Sequence, residues 1–340
     1  MIIRPLYIFF VCTLALAGCV NEHSTESESD LVFPGGKYPN IAEYNGKYYF
    51  LMQAPPSDVV AIYSSTSIDS LKTETPVVVW NGNERNMHNI WSPYIRRIDD
   101  VWYIYFEADN GNTDNHQIYV IENRNENPLE GEWTLHGPII TNLDWNFGIH
   151  PSTVIVDGRQ YLLWSGWEHR RVEAETQCIF IAEMENPWTL KSERVMISQP
   201  EYEWERQWIN PDGSRSAYPI FVNEDPEAIV SPDGKKVIVG YSASGIWTRY
   251  NSLGIVYAST LSNLLDKKSW TKMPEPQFCS SANDSTMYGT SNVALLALRE
   301  GKTELFYQAK ELVNGFEETN IYHKTISWDS NSLPVFGSPR

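Results

Sequence analysis

Asn45-Gly46-Lys47-Tyr48-Tyr49-Phe50-Leu51 is a tight turn followed by an apolar, aromatic run, and the combination returns four more times along the chain. Asp99-Asp100 precedes Val101 to Phe106, Asp157-Gly158 precedes Gln160 to Trp164, Asp233-Gly234 precedes Lys236 to Tyr241, and Glu300-Gly301 precedes Thr303 to Tyr307. Asn-Gly and Asp-Gly pairs tolerate the positive φ angles of a type I′ turn, so each copy reads as a β-hairpin. A further short strand opening on Ile follows each one: Ile62-Tyr63, Ile118-Tyr119, Ile179-Phe180, Ile255-Val256 and Ile321-Tyr322. Five matched units of short strands predict an all-β chain folded as a five-bladed β-propeller, one unit to a blade, because radial repetition protects most sheet edges. A β-sandwich accounts for the strands but not for five matched copies.

In four units a proline stands ahead of the turn: Pro39, Pro93, Pro151 and Pro226. Proline is tolerated where a paired strand begins, so these residues are expected to mark the start of each innermost strand. In a propeller those starts converge on one mouth of the axial channel. Tyr38, Trp91, Tyr94, His150, Ser152, Glu224 and Asp225 flank the prolines, and Asn292 holds the equivalent place in the fifth unit, within Tyr288-Gly289-Thr290-Ser291-Asn292. These residues are predicted to surround one pocket.

Composition narrows the chemistry. The chain has 340 residues, 42% hydrophobic and 20% charged, enough for a large core. Its formal charge of -17 repels polyanions, which excludes nucleic acid as a partner. Thirteen Trp, nineteen Tyr and twelve Phe exceed what a core usually demands, and aromatic rings are common platforms for sugars. Trp91, Tyr94, Trp145, Trp167 and Trp247 are the candidates for that contact.

The N-terminus carries an address. Arg4, the apolar run Leu6 to Ala17 and small residues after it have the form of a secretion signal, too short to span a bilayer comfortably. Leu16-Ala17-Gly18-Cys19 resembles a bacterial lipobox, which implies a signal peptide over 1–18 and lipidation of Cys19. Residues 19–30 read as an acidic flexible tether, and 31–340 as one domain. The expected setting is the cell envelope, as an outer-membrane lipoprotein exposed at the surface and held to the membrane through its lipid alone. Of the remaining cysteines, Cys178 and Cys279 either pair or stay as two buried thiols; the sequence leaves both open.

Several ordered stretches carry a family likeness: Asn89-Ile90-Trp91-Ser92-Pro93, Trp164-Ser165-Gly166-Trp167, Asn186-Pro187-Trp188, Val222-Asn223-Glu224-Asp225-Pro226, Tyr241-Ser242-Ala243-Ser244-Gly245 and Pro334-Val335-Phe336-Gly337. Together they resemble glycoside hydrolase family 43, especially its α-L-arabinofuranosidase-like members, over essentially all of 33–340. The resemblance implies hydrolysis of O-glycosyl bonds in arabinose-, xylose- or galactose-containing polysaccharides, by inversion, with three acids at the channel mouth. An inverting site needs one protonated carboxyl for the leaving oxygen and one ionised carboxyl for water.

Carried over by position, the general acid falls on Glu224. The expected base, an Asp before Pro in the first blade, is Tyr38 here, and the expected tuning Asp of the third blade is His150. A phenol is a poor base near neutral pH, whereas an imidazole has the intrinsic pKa to move protons there, so His150 is a candidate base or relay. Asp225 is a second candidate, able to share the pocket with Glu224 only at a bend or bulge; Asp109 and Asp144 lie in loops near the mouth. The altered site supports two readings, a glycoside hydrolase with a non-standard base or a catalytically inactive surface glycan-binding propeller, with a structural or protein-binding propeller as a third class. A monomer is expected, with no catalytic metal or cofactor; a structural calcium ion is left open, although the histidine expected near it is Asn292.

Overall fold

A computed structural model describes residues 30–53, 58–170, 175–209, 215–280, 287–298, 301–313 and 316–339. The signal peptide, Cys19 and all of the tether except Asp30 lie outside these residues.

The chain is an all-β, five-bladed propeller. Blade 1 is built from Lys37–Tyr44, Lys47–Gln53, Val59–Ser65 and Val77–Asn81, paired in that order, and blade 2 from His88–Ile98, Val101–Asp109, Gln117–Asn123 and Thr134–His136. Blade 3 uses Ile149–Val156, Arg159–Gly166 and Glu175–Asn186, with Val195–Ser198 outermost. Blade 4 uses Arg215–Val230, Lys236–Ala243, Ser252–Ser259 and Thr271–Lys272. A short parallel pairing of 175–177 with 220–222 joins these two blades into one hydrogen-bonded sheet. Blade 5 takes three strands from the C-terminal region, Met287–Ala297, Thr303–Val313 and Phe316–Trp328, and its outer strand from the N-terminal side, Asp30–Pro34. Asp30 therefore belongs to a strand, opposite His323.

The heavy aromatic load is explained by the blade interfaces. Successive residues of a strand face opposite sides, so a strand sandwiched between two blades must be apolar on both. In Val101–Asp109, Ile104 and Phe106 pack with Tyr49, Leu51 and Ile62 of blade 1, while Tyr103 and Tyr105 pack with Leu162 and Trp164 of blade 3. Equivalent clusters join blades 3 and 4 through Leu163 and Tyr241, blades 4 and 5 through Ile255 and Tyr307, and blades 5 and 1 through Phe306 and Phe50. The inner strands meet in the same cyclic order. The ring is thus closed by five apolar layers and by one strand donated from the far end of the chain.

Two of the five hairpins depart from the expected tight turn. Asn45-Gly46, Asp99-Asp100 and Asp157-Gly158 all have positive φ and form two-residue connections. The fourth is longer: the Ser231 amide donates to the Lys236 carbonyl and the Gly234 amide to the Ser231 carbonyl. Pro232, with its fixed negative φ, suits this wider loop and not a type I′ turn. In the fifth, the Leu298 amide donates to the Lys302 carbonyl across another wider loop.

Candidate active site

The prolines do not start the inner strands. They sit inside them, at bulges, where the missing N–H is also tolerated. Pairing of each inner strand with its neighbour slips at the same point in every blade, between Lys37 and Asn40, Trp91 and Tyr94, Ile149 and Ser152, Glu224 and Glu227, and Ser291 and Ala294. One residue in each slip has a left-handed backbone: Tyr38 (φ 52°), Ser92 (41°), His150 (53°), Asp225 (54°) and Asn292 (48°). None is glycine, so each kink carries a side chain at the expense of backbone strain. The residues that follow, Pro39, Pro93, Pro151, Pro226 and Val293, all line one axial cavity of about 20 Å³. The five kinks therefore ring one end of the channel.

Tyr38, His150, Glu224 and Asp225 come together there. The rings of Tyr38 and His150 lie 4.9 Å apart at 31°. Burial first, and then the nearby carboxyls of Glu224, Asp225 and Glu107, hold the Tyr38 phenol well above its usual pKa, so it keeps its proton. Burial, with a smaller contribution from His116, pushes the His150 imidazole down to about 3 and leaves it neutral. Both replacements carry no charge at neutral pH, and the imidazole has lost the titration near pH 6.5 that a free histidine would show.

Glu224 is 2% exposed, and the Ile246 amide donates to its Oε1 at 3.2 Å. The bulge at Asp225 is the bend that adjacent carboxyls need to share one side of the strand. The Asp225 amide donates to Ser165 Oγ at 2.8 Å, which fixes the kink. Burial raises the Asp225 carboxyl to about 7, with the Asn292 side chain opposing the rise and Glu227 adding to it. Asn292 is fixed in turn by its own amide, which donates to Ser242 Oγ at 2.9 Å.

Two acids had no motif to announce them. Glu107, in the second strand of blade 2, is fully buried, with Oε1 at 3.8 Å from His150 Nε2; burial lifts it to about 8, while the amides of His150 and Glu107 and the Ser92 hydroxyl favour its charged form. Its only sequence signal is a charge at the end of the apolar run Trp102 to Phe106. Glu227 lines the axial cavity and meets Arg96 Nη2 at 3.1 Å; burial raises it to about 7 against the pull of Arg96. The axial acid thus already has its cation. Among the described residues no group of three or more His, Cys, Asp or Glu converges on a metal position.

The aromatic candidates divide. Trp91, one residue before the blade 2 kink, is half-buried with its ring 4.2 Å from His116. That histidine donates from Nε2 to the Asn89 carbonyl (2.9 Å) and lies 3.3 Å from Asp109, which itself accepts from Asn89 Nδ2 and from the Gly111 amide; Asp109 is a structural support for Trp91. Trp247, half-buried in the turn whose Ile246 amide meets Glu224, lies over Gly245. Trp145 is half-buried with Arg170 over its ring at 3.9 Å, and Trp167 stacks on Phe147 at 3.8 Å; both pack with Ile149, the neighbour of His150. Tyr94 has a different place. It lines the axial cavity with Tyr38 and Asp225, while its hydroxyl donates to the Thr153 carbonyl at 3.0 Å and Arg96 covers its ring at 3.8 Å, so it also ties blade 2 to blade 3. Asp144 is exposed. Cys178 is a buried free thiol and does not pair with Cys279.

Kinked inner strands with a buried glutamate and flanking aromatic rings around one propeller mouth agree with the family to which the sequence conforms: the profile of "Glycosyl hydrolases family 43" matches residues 32–331. The chain belongs to this family. It is 31% identical over 314 residues to an extracellular exo-α-(1→5)-L-arabinofuranosidase of Streptomyces avermitilis, covering 88% of this chain and 61% of that one. It is 28% identical to α-L-arabinofuranosidase 43 of Humicola insolens, with the same shares. The chain thus spans about three fifths of these relatives. The structure of an α-L-arabinofuranosidase from Lactobacillus brevis superposes with a TM-score of 0.78 at 26% identity, over 91% of this family 43 chain and 96% of that one.

Proposed function

We propose that this family 43 protein is a surface lipoprotein that hydrolyses α-L-arabinofuranosyl bonds of arabinose-containing glycans, with Glu224 as the proton donor. The observation that carries the reading is the placement of Glu224: buried at the mouth, oriented by the Ile246 amide and adjoining the bulge that brings Asp225 to the same opening. Glu224 protonates the glycosidic oxygen as its bond to the anomeric carbon breaks. Asp225, ionised in part at neutral pH, takes a proton from the water that attacks that carbon. Tyr38, which keeps its proton, sets a neutral phenol beside these carboxyls, and neutral His150 buttresses its ring. Trp91 and Trp247 offer faces to the sugar. Arabinofuranosidase names among the relatives, two of them called extracellular, support both the substrate class and the location.

The test is release of arabinose from arabinan and from an aryl α-L-arabinofuranoside. The wild-type chain is expected to turn over both, and Glu224→Gln to lose about a hundredfold or more on arabinan. One observation favours a second reading: the kinks of blades 1 and 3 hold a phenol that stays protonated and an imidazole that stays neutral, and neither takes a proton readily near pH 7. A glycan-binding propeller would be retarded in an arabinan affinity gel by wild type and Glu224→Gln alike, with no sugar released.

A further inference from the structure

The blades repeat the residue behind each kink as well as the kink itself. Opposite the residue that precedes it, the second strand places Gln53, Glu107, Ser165, Ser242 and Gln308, paired with Lys37, Trp91, Ile149, Glu224 and Ser291. In blades 3 and 4 that residue is a serine whose hydroxyl accepts the amide of the next blade's kink, Ser165 from Asp225 and Ser242 from Asn292. In blade 2 the same place holds a carboxyl, and the next kink is His150, whose amide faces it. A hydroxyl suffices for the clamp in blades 3 and 4, so a buried acid here is more than the clamp requires.

The surroundings give that acid a second task. Neither oxygen of Glu107 completes a hydrogen bond of normal geometry, and the same holds for both ring nitrogens of His150, although all four atoms are buried. Glu107 Oε1 and His150 Nε2 are 3.8 Å apart. The groups that face the carboxyl are Ser92 from its own blade, Tyr38 from blade 1, His150 from blade 3 and Asp225 from blade 4; His116 acts on His150 from the other side. No lysine or arginine is among them.

We propose that Glu107 is a positioning residue for the glycosidase reaction, acting through His150: it replaces the clamp hydroxyl behind the third kink with a carboxyl that holds the imidazole beneath Tyr38 and keeps one exchangeable proton beside it. This rests on the reading of the mouth as hydrolytic. The carboxyl is protonated through neutral pH and loses its proton near pH 8, which places a negative charge behind the imidazole.

The experiment uses Glu107→Ser, which restores the residue found in blades 3 and 4, and Glu107→Gln, which keeps the shape and removes the proton. Wild type is expected to show an ionisation near pH 8 in kcat and a matching inflection in the His150 ring resonances. In both variants the inflection disappears and kcat falls about tenfold or more, with KM within about twofold. Wild-type kcat and pH profile retained in Glu107→Ser would reduce Glu107 to a clamp and overturn the proposal. A His150 inflection persisting in Glu107→Gln would overturn it as well. The resonances are read without substrate, so an inactive wild type would sink the hydrolytic reading separately.

Discussion

Tyr38 and His150 show how an environment rewrites a side chain. Buried beside carboxyls, the phenol is driven further from being a base, and the buried imidazole loses the near-neutral titration that makes free histidine useful. Tyr38→Phe is therefore expected to lower kcat/KM about tenfold, by removing a hydroxyl that can donate to charged groups during the reaction, without moving either limb of the pH profile. Loss of a limb would make Tyr38 a titrating participant. Tyr38, His150 and Asp225 were legible because each adjoins a proline that marks its bulge, and Glu224 because it precedes Asp225 in the stretch Asn223-Glu224-Asp225-Pro226. Glu107 was not, since a single acid in an apolar strand has no motif, and only the register across strands reveals what it replaces. Tyr94, two positions past a kink, both lines the axial cavity and packs into the interface of blades 2 and 3.

At the level of elements, the strand carrying Glu224 is braced by the insertion before it. Glu205, in the single turn Glu203–Glu205, is fully buried and accepts from Lys272 Nζ (2.6 Å), the Tyr241 hydroxyl (2.8 Å) and Asn223 Nδ2 (3.0 Å). Asn223 is the neighbour of Glu224, and its Oδ1 in turn accepts from Lys272 (3.0 Å) and Ser198 (2.8 Å). Glu205→Ala strands a mostly buried ammonium and is expected to cost about 3–5 kcal/mol in chemical denaturation, with kcat reduced more than KM is raised. A loss under about 1 kcal/mol would contradict the bracing role. The hairpins were readable from their turn pairs, but loop width in blade 4 was not, because Pro232 and the residues around it set the turn through their backbone angles and not through polarity.

For the molecule as a whole, buried acids around the axis couple folding to pH. Glu107 (about 8), Asp225 (about 7) and Glu227 (about 7) hold protons in the folded state that their unfolded counterparts release in the usual carboxylate range. The folded state binds more protons across that interval, so these groups lose stabilising effect as pH rises through 7 and 8. His150 acts oppositely, because its folded pKa of about 3 gives stability that grows as pH rises toward 6.5 and is constant above it. The midpoint of thermal unfolding is therefore expected to fall between pH 6.5 and 8, and a rise over that interval would contradict the placement of these acids. The propeller itself was legible from five copies of one pattern. Its closure was not, since the strand Asp30–Pro34 that completes blade 5 has no repeat partner nearby in sequence. The central claim, that Glu224 donates the proton at a working mouth, is tested most directly by varying the leaving group. With wild type and Glu224→Gln, kcat/KM is measured on arabinofuranosides whose leaving groups range from a sugar alcohol to dinitrophenol. The account predicts a deep loss in the variant for the poor leaving groups and near-equal rates for dinitrophenol; an equal loss on every substrate, or no turnover by wild type on any, would contradict it.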